Sequence, residues 1–334
     1  MYCLNEQLKN KIEFVNNLLL NKYEKILSLD KQILRRFIVD KVGSIKKLER
    51  MTSKELMKYA ELGGILGVDG SRNRLGGAYP HFIEIYQGLA RCSIHKDKPV
   101  IKADFYTPLG VEENPNMLED SREEKLKSDK KLADIEVEAA LEGIREFNPY
   151  AVIMDGSIIR YDIASTDRWM ELKNECEERG IILVGVTKDI KTSIIGEELM
   201  KDKNISIDVK FHDRELLYGV LEYGEAIFTD IETKKEIAGL ESAFLRSSDS
   251  PTVVAVDILQ SQKEHLEEMA RLILTLTPRN GRGVPLWIDI VDSEVKIPDV
   301  MIKSLLESYM DRRLLEMLFI SERDKRTMVM SKVL

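Results

Sequence analysis

Near the start of the chain, apolar positions recur every three or four residues: Leu8, Ile12, Val15 and Leu19, then Ile33, Phe37 and Val42. That spacing lays one apolar stripe along a helix. The stretch has no proline and little glycine, so residues 1–60 are expected to form a helical arm packed on the main body or on another subunit. The period changes at Gly63-Gly64. Ile65–Val68 is a short apolar run closed by Asp69-Gly70-Ser71, and residues 81–94 and 99–106 are β-rich with partial alternation. Leu132–Phe147 reads as a helix stopped by Asn148-Pro149. Ala151–Met154 is a second buried-strand run, again followed by an Asp-Gly-Ser triplet (Asp155, Gly156, Ser157). A helix over 163–179 precedes Gly180, and 181–186 is a third apolar strand. Beyond it, strands are expected at 216–229, 242–247, 252–259 and 285–291, mixed with helices that cover the sheet.

The order is strand, strand, strand, helix, strand, helix, strand. Short connections between the first three suit an antiparallel meander, and helical crossovers between the later ones suit parallel pairing. The expected fold is α/β: a ribonuclease H-like mixed sheet with flanking helices and an N-terminal helical arm. The expected division is 1–60 for the arm and 61–334 for the ribonuclease H-like body.

Composition narrows the class. The 334 residues carry 50 Lys+Arg against 58 Asp+Glu, a formal net charge of -8, and 43% are hydrophobic, too many for a disordered chain. No apolar run approaches the roughly 18–20 residues of a membrane helix, and the polar start MYCLNEQLKNKIEF is not that of a secretory leader. Cys3, Cys92 and Cys176 are far apart with no CxxC, which points to a reducing, cytoplasmic setting. Acidity alone argues against gripping phosphate backbones by bulk charge. Part of it is local, since residues 119–131 hold five acidic and five basic residues that cancel. Net charge describes the whole surface rather than any one channel.

The chemistry concentrates in ILGVDGS (65–71) and AVIMDGS (151–157). Asp-Gly is a common turn dipeptide, and each triplet alone reads as a turn. Together, one on either side of a single helix, they deliver two carboxylates to one end of a sheet. Such a pair shares a proton or a cation, and Mg²⁺ or Mn²⁺ suits hard oxygen ligands. A third carboxylate belongs on the intervening helix. Glu136 has Leu132, Ala133, Ala139, Ala140 and Gly143 on its face, whereas Glu138 has Asp134, Leu141, Glu142 and Arg145, so Glu136 is the buried candidate. Lys188, just past the third parallel strand, reaches the same end of the sheet. Arg72 and Arg160 follow the two triplets as candidate phosphate contacts. These parts suit two-metal phosphodiester hydrolysis.

The ordered set VDGS (68–71), ADIEVEAAL (133–141), VIMDGS (152–157) and GVTK (185–188) resembles the NurA nuclease family. The resemblance implies a ribonuclease H-like core that degrades DNA with Mn²⁺, Mg²⁺ being an admissible substitute. It also implies a homodimer with a central DNA channel, working in archaea and some bacteria with the hexameric HerA translocase in DNA end resection. By resemblance, Asp69, Glu136 and Asp155 match the metal-binding carboxylates and Lys188 a conserved basic position. The family's late active-site histidine has no counterpart in LLEMLFISERDKR (314–326). Either Glu322 stands in its place or the fourth group is absent. A non-catalytic DNA-guiding adaptor of the motor is the alternative. An ATP-handling protein of the actin and sugar-kinase type fits less well, because SRNRLGGAY (71–79) is a poor phosphate hairpin.

Overall fold

The computed structural model describes residues 5–95, 97–110, 121–202, 205, 209–230 and 239–319. One nine-stranded sheet runs through it, in the order β1-β7-β8-β9-β6-β5-β2-β3-β4. Its strands are β1 (Gly43–Lys47), β2 (Ile65–Gly76), β3 (Phe82–Cys92), β4 (Val100–Tyr106), β5 (Ala151–Asp155), β6 (Ile182–Thr187), β7 (Glu225–Thr229), β8 (Leu240–Leu245) and β9 (Val254–Leu259). β2, β3 and β4 form the antiparallel meander, and β5 lies parallel between β2 and β6. The order β4-β3-β2-β5-β6 is that of the ribonuclease H-like fold. β9, β8, β7 and β1 extend it by antiparallel pairing.

The helices are α1 (Glu6–Leu27), α2 (Lys31–Lys41), α3 (Ser53–Glu61), α4 (Ser121–Phe147), α5 (Ile159–Ala164), α6 (Thr166–Arg179), α7 (Ile194–Lys201), α8 (Asp213–Leu216), α9 (Leu266–Leu276), α10 (Leu286–Val295), α11 (Asp299–Tyr309) and α12 (Arg312–Leu318). Strand alternation decides which helices each residue meets. Leu66, Val68, Val152, Met154 and Leu183 pack with residues of α4, α5 and α6. Ile65, Ile153, Val184, Val186 and Val256 pack with α9 and with Ile288 of α10. Both faces of β5 are covered, which is why Ala151–Met154 is apolar throughout rather than alternating. Each such fully buried aliphatic side chain stabilises the fold by about 1.5–3 kcal/mol.

Four expectations need correction. Residues 43–47 are not helical; they pair with β7 at the sheet edge, so this stretch belongs to the main sheet. The arm proper is α1, which leaves Leu8, Ile12, Val15 and Leu19 exposed, while Tyr23 and Ile26 near its end pack on the main body and Tyr23 donates to Glu215 at 2.6 Å. Residues 216–229 hold a strand only from 225 on, and 285–291 lie mostly in helix α10. Finally, Asp69-Gly70-Ser71 is not a turn. β2 runs through it to Gly76, because β3 pairs with it along its length, whereas β5 stops at Asp155 and turns at Gly156 with φ +115. Among the described residues no helix is long and apolar enough to cross a membrane.

Candidate active site

The site lies where β2 passes the C-terminal end of β5. Asp69 is one residue beyond the last paired position of β2 with β5, and Asp155 ends β5. Both share strand parity with the Gly67↔Ile153 pair, so they project toward α10. At Gly67 a Cβ would come within 2.9–3.0 Å of the Trp287 ring, so glycine is what lets α10 approach β2 closely. Ser71 Oγ donates to the Val295 carbonyl at 2.6 Å and fastens the far end of that helix. α10 then brings in Asp292. One carboxylate oxygen from each of Asp69, Asp155 and Asp292 lies within 4.8 Å of the others.

Glu136 comes from the opposite face. α4 packs over Gly70, where a Cβ would meet Glu136 Cγ and Oε1 at 2.6 Å; only glycine admits the carboxylate there. Glu136 is 1% exposed, as its apolar helical face predicts. Tyr161 donates to its Oε2 at 2.7 Å and the Arg160 guanidinium pairs with the same oxygen. Glu136 therefore lies beside the three aspartates but outside the set that converges within 4.8 Å. Lys188 sits on Asp155 (Nζ to Oδ2, 2.9 Å). Arg160 is tied to Glu136, so its guanidinium reaches the edge of the cluster. Arg72 is not brought there: its side chain turns toward α4 and pairs with Ser128 and Asp129. Glu322 lies outside the described residues.

The electrostatics follow from this crowding. Burial first, then the charges of Asp155 and Glu136, push the Asp69 carboxyl up to about 8, against one hydrogen bond from the Gly70 amide. For Asp292, burial is outweighed by the Lys296 ammonium, a hydrogen bond with Asp69 and the charge of Lys188, and its carboxyl is held below the usual range. The two carboxyls are thus pushed in opposite directions, Asp69 toward holding a proton and Asp292 toward losing it. Burial also raises Glu136, against the pull of Arg160 and Tyr161. Hard oxygen donors that repel one another at such range fit a divalent cation, which would replace the proton on Asp69.

The family model for the NurA domain matches residues 63–297, well over half of the chain. The chain belongs to the NurA family. It is a nuclease, and the matched region contains all four carboxylates of the site as well as Lys188. No curated protein matches the sequence. Among solved structures, the fold is similar to endonuclease V of Bacillus subtilis (11% identity, 83% of this chain and 92% of that one, TM-score 0.38). It is similar also to the catalytic domain of human endonuclease V (17% identity, 84% and 98%, TM-score 0.37). Piwi of Drosophila is a further match (10% identity, 70% and 29%, TM-score 0.38).

Asp292 is the site residue that sequence reasoning missed. Leu286-Trp287-Ile288 and Ile290-Val291 form a short apolar run interrupted only by Asp289, which reads as a buried strand. The helical signal was present at longer range: Ile288, Val291 and Val295 follow i, i+3, i+7 spacing, and these are the residues α10 buries. Pro285 at the cap position marks its start.

Proposed function

We propose that this NurA-family chain is a divalent-metal-dependent DNA nuclease that hydrolyses phosphodiester bonds in DNA end resection and double-strand break repair. The reading includes 5′-to-3′ exonuclease and single-strand endonuclease action, a homodimer, and a HerA-type hexameric translocase as partner. One observation carries the metal-dependent part: the convergence of Asp69, Asp155 and Asp292 within 4.8 Å, with Glu136 pressed against Gly70. Asp69, Asp155, Asp292 and Glu136 would hold the metal, Mn²⁺ or Mg²⁺. When bound, it lowers the pKa of water and offsets charge on the leaving oxygen of a phosphodiester.

The chain's own residues do the rest. Lys188 keeps an ammonium beside Asp155, where it offsets negative charge building on a phosphoryl oxygen. Tyr161, itself fully buried, and Arg160 fix the Glu136 carboxylate so that its other oxygen faces Gly70. Fixing a ligand this way sharpens metal affinity and geometry. The adaptor alternative leaned on the missing late histidine. The acidic balance favours it as well; the Asp292 carboxylate, inside the family match and beside Asp69 and Asp155, supports the nuclease reading instead.

The test is one gel assay of linear DNA with Mn²⁺, Mg²⁺ or chelator, comparing wild type with Asp69→Asn and Asp155→Asn. Degradation in Mn²⁺ that both variants lose, with their circular dichroism unchanged, supports the reading. Variants that cleave like wild type overturn it.

A further inference from the structure

The loop between α9 and α10, TPRNGRGVP (277–285), contributes nothing to the carboxylate cluster, yet it is held firmly. The Asp249 amide donates to the Arg279 carbonyl at 2.7 Å, Arg279 Nε donates to Asp249 at 2.8 Å, and Ser247 donates to the Gly283 carbonyl. Within the loop, the Gly281 amide donates to the Pro278 carbonyl at 2.9 Å, and Gly283 takes a left-handed φ of +88 that favours glycine. Its two arginines diverge. Arg279 stays with Asp249 and lies over the Tyr223 ring at 4.7 Å. Arg282 turns toward the cluster: its Nη2 pairs with Asp289 and lies 4.0 Å from Asp292 Oδ2. The hydrogen bond and charge of Asp289, followed by the charges of Asp292 and Asp155, hold its guanidinium above the ordinary range.

The cations around the site are not equivalent. Lys188 is bound to Asp155, Lys296 to Asp292 at 2.7 Å and Arg160 to Glu136, so each neutralises a cluster acid. Arg282 instead pairs most closely with Asp289, one helical turn before Asp292 and outside the cluster, and reaches the cluster acid Asp292 only at 4.0 Å. Its side chain is 61% exposed, and both of its ion-pair contacts use Nη2. An exposed pair of this kind is worth about 0–1 kcal/mol, so Asp289 releases it at little cost. A guanidinium has a second edge that matches two phosphate oxygens. With the metal offsetting the cluster itself, a phosphate flanking the scissile bond still passes the acidic side of α10, where a cation at the rim would hold it.

We infer that Arg282 is a substrate-binding residue that takes a phosphate of the DNA strand beside the scissile bond, from the α10 side of the sheet, with Asp289 as its counter-ion in the free protein. This rests on the metal-nuclease reading above.

The test uses the full chain. Anisotropy of a fluorescent, nuclease-resistant phosphorothioate single strand is titrated with protein in Mn²⁺ at several salt concentrations, and cleavage kinetics are measured on ordinary DNA. Arg282→Ala is expected to raise KM about tenfold, the scale of one charge-assisted hydrogen bond, while kcat stays within about twofold. The slope of log affinity against log salt should fall by about 0.7. Arg282→Lys should keep the slope and recover part of the affinity, and Arg279→Ala should behave as wild type. Unchanged affinity and slope in Arg282→Ala, or an equal loss in Arg279→Ala, overturns the inference. Cleavage by Asp69→Asn would instead overturn the metal site, so the two failures are separable.

Discussion

Asp69 and Asp213 are both buried acids whose carboxyls burial pushes up, and their surroundings differ in what they leave unsatisfied. Asp213 is surrounded by donors. It accepts from Thr192 Oγ1 at 2.6 Å and from the amides of Ile194 and Ile195 at 2.9 and 2.8 Å, and these oppose its desolvation at the start of α7. Asp69 accepts one amide, from Gly70 at 2.8 Å, and otherwise faces Asp155, Glu136 and Asp292. One acid is complete within the protein. The other is left with like charges, a deficit that a cation removes.

Substitution should break the comparison cleanly. Asp69→Asn is expected to lower kcat by at least ~10³-fold, the scale of losing preorganised charge stabilisation at the reacting phosphate. Asp213→Asn should keep the specific activity of its folded fraction and lose about 1–3 kcal/mol in denaturant unfolding through its buried donors. Asp292→Asn should weaken Mn²⁺ affinity measured by calorimetry, whereas Asp213→Asn leaves it unchanged.

Next comes the support of Glu136. Tyr161→Phe removes one donor to a buried carboxylate and should weaken metal affinity about 10-fold, with kcat at saturating metal falling less.

The pH response is smaller but specific in sign. The Asp69 carboxyl is raised in the folded state to about 8 from an ordinary 3.8. Its contribution to metal-free stability is therefore full at pH below 3.8 and lost as pH rises toward 8, because the unfolded chain gives up the proton first. Without metal, Asp69→Asn should raise Tm at pH 8 by a few degrees, roughly 2–4 °C per kcal/mol, and the gain should vanish near pH 4. Mn²⁺ affinity of the wild type should climb across the same window, since the ion competes with that proton. Smallest of all, Arg72→Ala should change cleavage less than about twofold, because this residue serves α4 rather than the cluster.

The site was legible wherever a local pattern sufficed. Asp69 and Asp155 stand out because each ends an apolar run, and Glu136 because helical spacing separates it from Glu138, which pairs with Arg168 at the surface. Asp292 was hidden behind a short apolar run, 286–291, whose pattern alone does not separate a buried strand from a helix. Such ambiguity is settled by what covers the segment, here β2 through Gly67. The same holds for 43–47, where Ser44 and Ile45 pair with Phe228 and Ile227 almost two hundred residues away.

From sequence alone came the meander and crossover order, the two strand-end aspartates, the buried glutamate and the family, since these rest on periodicity and near-neighbour spacing. Tertiary structure decided which carboxylates meet. Strand parity sends Asp69 and Asp155 to the α10 face and leaves Glu136 to enter from the other side through Gly70. It also separated two identical Asp-Gly-Ser triplets, one held in an extended strand by β3 and one released into a turn, because pairing along the sheet is a non-local property that a seven-residue pattern does not contain.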